Sequence, residues 1–102
     1  MKVQFDPPSL ARLCRERGIA KLELFGSALR DDFRSDSDVD LLCTLRPDAK
    51  CGLFEWAALK LAFEEFFRRP VDLVSRPGIE ASKNRFRKHA ILTTATPIYV
   101  EG

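Results

Sequence analysis

LFGSALRDDFRSDSDVDLLCTL, residues 24–45, governs how this chain folds. A β-type stretch ends at a Gly26-Ser27 turn signal, a polar run follows, and apolar character resumes behind Asp38 and Asp40. Upstream, residues 20–25 alternate Leu22 and Leu24 against charged neighbours, which predicts a strand stopping at the glycine. Downstream, VDLLCTL predicts a second strand over 38–45, closed near Pro47. The ten residues between them are too few for a parallel crossover with its helix, so the two strands are expected to be antiparallel.

On the N-terminal side, Asp6 followed by Pro7 and Pro8 reads as a helix start, Leu10, Leu13 and Cys14 form an apolar stripe, and Gly18 supplies the stop. A first helix is expected over 7–17. Residues 53–68 carry the clearest helix, because Trp56, Leu59, Phe63, Phe66 and Phe67 share about 100° of arc and must face a core. PVDLVSRPG reads as a short strand over 71–75 ended by a Pro-Gly turn. A basic helix is expected over 79–92 with Ile79, Phe86 and Ala90 as its apolar stripe, and a last extended piece, IYV, follows Pro97. The fold class is α/β in the α+β sense: one small mixed sheet flanked by helices, as one domain over 1–102.

This order brings carboxylates together. A full helix separates the strands at 38–45 and 71–75, so those two should run parallel by a right-handed crossover and start at the same sheet edge. Asp38, Asp40 and Asp72 then meet the Gly26-Ser27 turn at one end of the sheet. Residues two apart in a strand share a face, so Asp38 and Asp40 project together. Adjacent carboxylates suit Mg²⁺, which takes hard oxygen ligands and keeps waters and phosphate oxygens beside them. Three aspartates fit a two-metal site for in-line displacement at phosphorus. Gly26 permits close backbone approach, and the Ser27 hydroxyl and the amides behind it can donate to phosphate oxygens.

Simpler readings compete with this one. A lone D-x-D among 15 acidic residues is ordinarily surface charge, and the spacing to Gly26-Ser27 is what lifts this one above it. An EF-hand loop from Asp36 would need glycine and glutamate where Leu41 and Pro47 stand. A phosphatase-type D-x-D follows its apolar strand, whereas here the apolar stretch comes after the aspartates. The net charge of +2 on 102 residues does not announce nucleic acid. Three cysteines lack metal-ligand spacing; Cys14 and Cys43 read as small core residues and Cys51 as a loop thiol in a reducing cytoplasm. No apolar run approaches a membrane span or a signal sequence, so a soluble cytoplasmic chain is expected.

The run from Leu24 to Leu42, with VDLV at 71–74, resembles the G-S-x10-D-x-D signature of the DNA polymerase β-like nucleotidyltransferase superfamily. With its core complete in about 100 residues, the chain is similar to the minimal nucleotidyltransferase (MNT) branch, whose members are commonly antitoxins of HEPN ribonuclease toxins. The resemblance implies catalysis by Asp38, Asp40 and Asp72 on two Mg²⁺ ions, with Asp72 also activating the acceptor hydroxyl. It implies that Gly26 and Ser27 form the triphosphate turn and that Arg30 contacts phosphate. Asp31 stands where glycine is usual in this run, and Ala28 where a basic residue is frequent.

By that resemblance the protein is expected to move AMP from ATP onto a tyrosine of a HEPN toxin, as a hetero-oligomer with it. Two alternatives are a non-catalytic antitoxin acting by contact and a nucleotidyltransferase acting on a small molecule or RNA end. Phe54 and Leu61 lie opposite the aromatic stripe, covered either by a partner or by the C-terminal segment of the chain. KNRFRKH, residues 83–89, reads first as a solvated face, with contact to a triphosphate or an acidic toxin patch as the sharper alternative. His89 reads as solvated, and direct nucleic-acid binding is not expected, since Phe86 alone offers a stacking platform.

Overall fold

A computed structural model of the chain describes residues 3–26 and 38–101. Their elements are α1 (Pro7–Glu16), β1 (Ile19–Phe25), β2 (Val39–Leu45), α2 (Leu53–Phe67), β3 (Val71–Ser75), α3 (Arg76–Glu80), α4 (Arg85–Thr94) and β4 (Thr96–Val100). The four strands form one sheet in the order β3-β2-β1-β4. β1 and β2 are antiparallel and β2 and β3 parallel, as the two connection lengths require. β4 closes the other side of β1 antiparallel, with Pro97 tolerated there because β4 is an edge strand.

The strand alternation divides the sheet into two unequal faces. Leu22, Leu24, Val39, Leu41, Cys43, Val71 and Leu73 pack with Leu10 and Cys14 of α1 and with Leu59, Phe63 and Phe67 of α2. This is the larger core, and the expected aromatic stripe lines it, with Trp56 and Phe66 at its margin. The opposite face is thinner: Phe25 and Leu42 meet Ile79 of α3 and Ile91 of α4. Asp40 and Asp72 alternate with residues of the larger core, so their side chains belong to the thin face.

Local chemistry sets the ends that matter for the site. α2 stops at Arg68, which takes a left-handed conformation with φ 56°, and its N–H donates to the Glu64 carbonyl. The Glu64 carboxylate then accepts from the Val71 N–H at 3.0 Å, while Val39 N–H donates to the Pro70 carbonyl at 2.9 Å. These two bonds hold the starts of β2 and β3 level. At the other end of the chain's first helix, Gly18 turns with φ 72° and leads directly into β1.

Two sequence expectations, the single basic helix and its apolar stripe, are corrected, and one left open is decided. The basic helix over 79–92 is two helices: Ser75 caps α3 by accepting from Gly78 N–H, and Asn84 restarts the chain by accepting from Arg87 N–H. The break resets the helical phase, so Ile91 is buried beside Ile79, whereas Phe86 is 91% exposed and Ala90 is exposed. The C-terminal segment pairs with β1 and leaves Phe54 (88%) and Leu61 (64%) exposed on α2. Cys14 and Cys43 are core residues, and burial pushes both thiols up to about 12. His89 is exposed on α4. No helix among the described residues is long and apolar enough to cross a membrane.

Candidate active site

The antiparallel register places Phe25 opposite Asp40, and the parallel register places Asp40 beside Asp72. Neighbouring strands lie about 4.8 Å apart, so the two carboxylates leave the same sheet face from adjacent strands. Gly26 follows directly. With φ +69° it occupies left-handed space, and a Cβ added there would stand 2.3 Å from Asp40 Oδ2. Only a residue without a side chain lets the backbone lie this close to that carboxylate.

A cavity of about 490 Å³ opens over this corner, lined by Phe25, Gly26, Asp40 and Asp72 from the sheet and by Arg87, Ala90, Ile91 and Thr94 from α4. Its chemistry is divided. Two carboxylates lie on the strand side, one guanidinium on the helix side, and Phe25, Ala90 and Ile91 give it apolar walls. Asp72 and Arg87 are exposed, so water and solutes reach the cavity.

Of the residues singled out from the sequence, Gly26, Asp40 and Asp72 are brought together here. Asp38, one residue before β2, is exposed and is not among the residues lining the cavity. Ser27 and Arg30 lie outside the described residues. Among the described residues, no three His, Cys, Asp or Glu side chains stand close enough together to hold a metal ion. The Asp40–Asp72 pair nevertheless fits Mg²⁺, an ion usually held by one or two carboxylates plus waters and substrate phosphate oxygens. The sequence reading did not single out Arg87; the KNRFRKH run read first as a solvated face, with contact to a triphosphate or an acidic toxin patch as its alternative.

A second feature of the same face is the Glu23–Arg76 pair. Glu23, two residues before Phe25 on β1, is 3% exposed, and Arg76 Nη1 reaches its Oε1 at 2.6 Å. Lys21 Nζ stands 3.8 Å from the same carboxylate, and Arg76 Nε stands 3.5 Å from Glu80. A charge this buried is tolerated only with a partner. The pair therefore pins the start of α3 to the centre of the sheet beneath the site.

Comparisons with known proteins bear on the family and the fold. The family model described as nucleotidyltransferase domain matches residues 9–93. A solved structure described as a minimal nucleotidyltransferase is 33% identical, covers 89% of this chain and 87% of its own, and superposes with a TM-score of 0.65. A toxin–antitoxin structure with AMP-PNP superposes with a TM-score of 0.69 at 15% identity, over 95% of this chain and 75% of that one. A tri-AMPylated Shewanella oneidensis HEPN toxin in complex with MNT antitoxin gives 0.60 at 15% identity, over 93% and 70%. At such identities the last two establish a common fold. No curated protein matches the chain.

Proposed function

The chain belongs to the nucleotidyltransferase domain family, and from that premise we propose that it transfers AMP from ATP onto a protein hydroxyl. The acceptor in this reading is a tyrosine of a HEPN ribonuclease toxin, and this protein, one domain over 1–102, is the toxin's antitoxin. The observation that carries the chemistry is the register pair Asp40–Asp72 with Gly26 packed against the first of them. The solved neighbours with AMP-PNP and with an AMPylated HEPN toxin support the choice of nucleotide and acceptor.

Asp40 and Asp72, with Asp38 ahead of them, are the residues that would hold Mg²⁺. Bound there, such ions neutralise phosphate charge and lower the pKa of an attacking hydroxyl. The chain's own groups do the rest. Gly26 and Ser27 admit the triphosphate close to the backbone, Arg30 adds a phosphate contact, and the cavity's apolar walls exclude part of the surrounding water. Asp72 orients the acceptor hydroxyl and takes its proton. The acceptor oxygen bonds to the α-phosphorus, the bond to the bridging oxygen breaks, and pyrophosphate leaves.

The test is a purified antitoxin–toxin pair incubated with α-labelled ATP and Mg²⁺. Label on the toxin that disappears with Asp40→Asn supports transfer. An unlabelled toxin in a pair that has formed would overturn it. One observation favours a second reading, neutralisation by contact: Leu53, Phe54 and Leu61 give α2 an apolar face that is 64–88% exposed. Under that reading an Asp38→Asn/Asp40→Asn double variant at normal abundance would still protect cells. Label on a small molecule or an RNA end instead of the toxin would redirect the acceptor.

A further inference from the structure

α4 is cationic without internal compensation. Lys83, Arg85, Arg87 and Lys88 occur within six residues, and no Asp or Glu stands anywhere from 81 to 100. Elsewhere several cations are answered: Arg46 by Glu101, Lys60 by Glu64, and Arg76 and Lys21 by Glu23. None of the four on this segment has an ion-pair partner among the described residues, although Arg87 shares a cavity with Asp40 and Asp72. Like charges gathered without counter-charge weaken a fold, and an external anion relieves them.

Of these four residues only Arg87 lines the cavity. Its position is set by the helix start: its N–H donates to Asn84 Oδ1 at 3.1 Å, which places it in the ordered first turn of α4. The other polar side chain that α4 offers to the cavity is already engaged, because the Thr94 hydroxyl donates to the Ala90 carbonyl at 2.6 Å. The guanidinium is therefore the donor group available on the helix wall. Its planar fork matches phosphate oxygens bidentately and stays charged at every physiological pH.

We propose that Arg87 is a polyphosphate ligand of the nucleotide site, contacting the β,γ end of a bound nucleoside triphosphate from α4 while the α-phosphorus faces Asp40 and Asp72. The proposal rests on the nucleotidyl-transfer reading of the cavity. It gives α4 a role in substrate binding and makes the 490 Å³ cavity a two-walled site, one wall acidic and one cationic.

Titrations of ATP, AMP and inorganic tripolyphosphate, each with Mg²⁺, into the intact protein and its Arg87→Ala, Arg87→Lys and Arg85→Ala variants test this. Arg87→Ala should weaken ATP and tripolyphosphate about tenfold or more and leave AMP within about twofold. Arg87→Lys, which keeps the charge but loses the fork, should fall between. Arg85→Ala, the same charge change off the cavity, should stay near wild type. ATP binding unchanged in Arg87→Ala, or an equal loss in Arg85→Ala, would overturn the proposal alone. A wild-type protein that binds none of the three ligands would overturn the underlying reading and this proposal with it.

Discussion

Gly26 and Asp40 are in contact, backbone against carboxylate, with no room between them for a methyl group: a Cβ on Gly26 would stand 2.3 Å from Oδ2 and 3.2 Å from Cγ of Asp40. The carboxylate's place depends on that missing side chain.

Gly26→Ala should therefore do two things at once. The left-handed φ of +69° costs an alanine about 1–2 kcal/mol, and the new methyl must turn the Asp40 carboxylate aside. Label transfer to the acceptor should fall by more than the loss of folded protein explains. Thermal melting beside a transfer assay separates the two effects.

Asp72→Asn keeps the shape of an exposed side chain while removing its charge. Folding stability should stay within about 0.5 kcal/mol of wild type, whereas AMP transfer should drop about 100-fold or more. Chelation of divalent ions should give the same loss in the unaltered protein. Urea melts and initial-rate measurements check the pair; a variant that transfers normally would remove Asp72 from the chemistry.

Arg76→Ala strands Glu23 in the sheet with Lys21 as its remaining neighbour, 3.8 Å away. The expected cost is about 2–4 kcal/mol, towards the lower part of the range for a broken buried pair because Lys21 remains. Arg76→Ala combined with Glu23→Gln should recover part of it, since no buried charge is then left alone. Urea denaturation of the two variants checks the sign of the difference.

The buried thiols of Cys14 and Cys43 tie stability to high pH. Burial raises both to about 12 from an ordinary value of 9.0, so the folded state holds these protons more tightly than the unfolded chain. Their contribution is complete below pH 9 and is lost as pH rises towards about 12, at up to about 1.4 kcal/mol per pH unit for each thiol. At pH 8 a thiol reagent should label Cys51 quickly and the other two only after denaturation. Fast labelling of all three in the folded protein would contradict this.

Phe54→Ser with Leu61→Ser alters side chains that are 88% and 64% exposed, so the isolated fold should change by less than about 1 kcal/mol. If α2 carries the partner contact, toxin capture should weaken sharply while ATP binding stays intact. Pull-down and nucleotide titration on the same preparation distinguish these outcomes.

Much of the fold was legible from local pattern. Helix α1, β1, β2, α2 and β3 fall within one residue of their expected ends, because their hydrophobic periods and the Gly and Pro residues between them are local signals. Relative strand direction was legible for the same kind of reason. A short connection forces β1 and β2 antiparallel, a helix-bearing one makes β2 and β3 parallel, and together they bring Asp40, Asp72 and Gly26 to one corner.

What packs over that corner depended on the whole molecule. Asn84 is an unremarkable residue in the sequence, yet as a cap it divides the last helical region and rotates Ile91 inward and Phe86 outward. Glu23 reads as the polar side of an alternating strand and lies buried because Arg76, 53 residues later, meets it. Arg87 reads as one charge in a solvated run and faces the carboxylates because α4 seats Ile91 on Phe25 and Leu42. Sequence alone determined the strands, their directions and the acidic corner, since each follows from neighbouring residues and short spacings. Tertiary structure decided the cavity's second wall, because helix packing onto a sheet is set by contacts between residues far apart in the chain, and no local pattern encodes them.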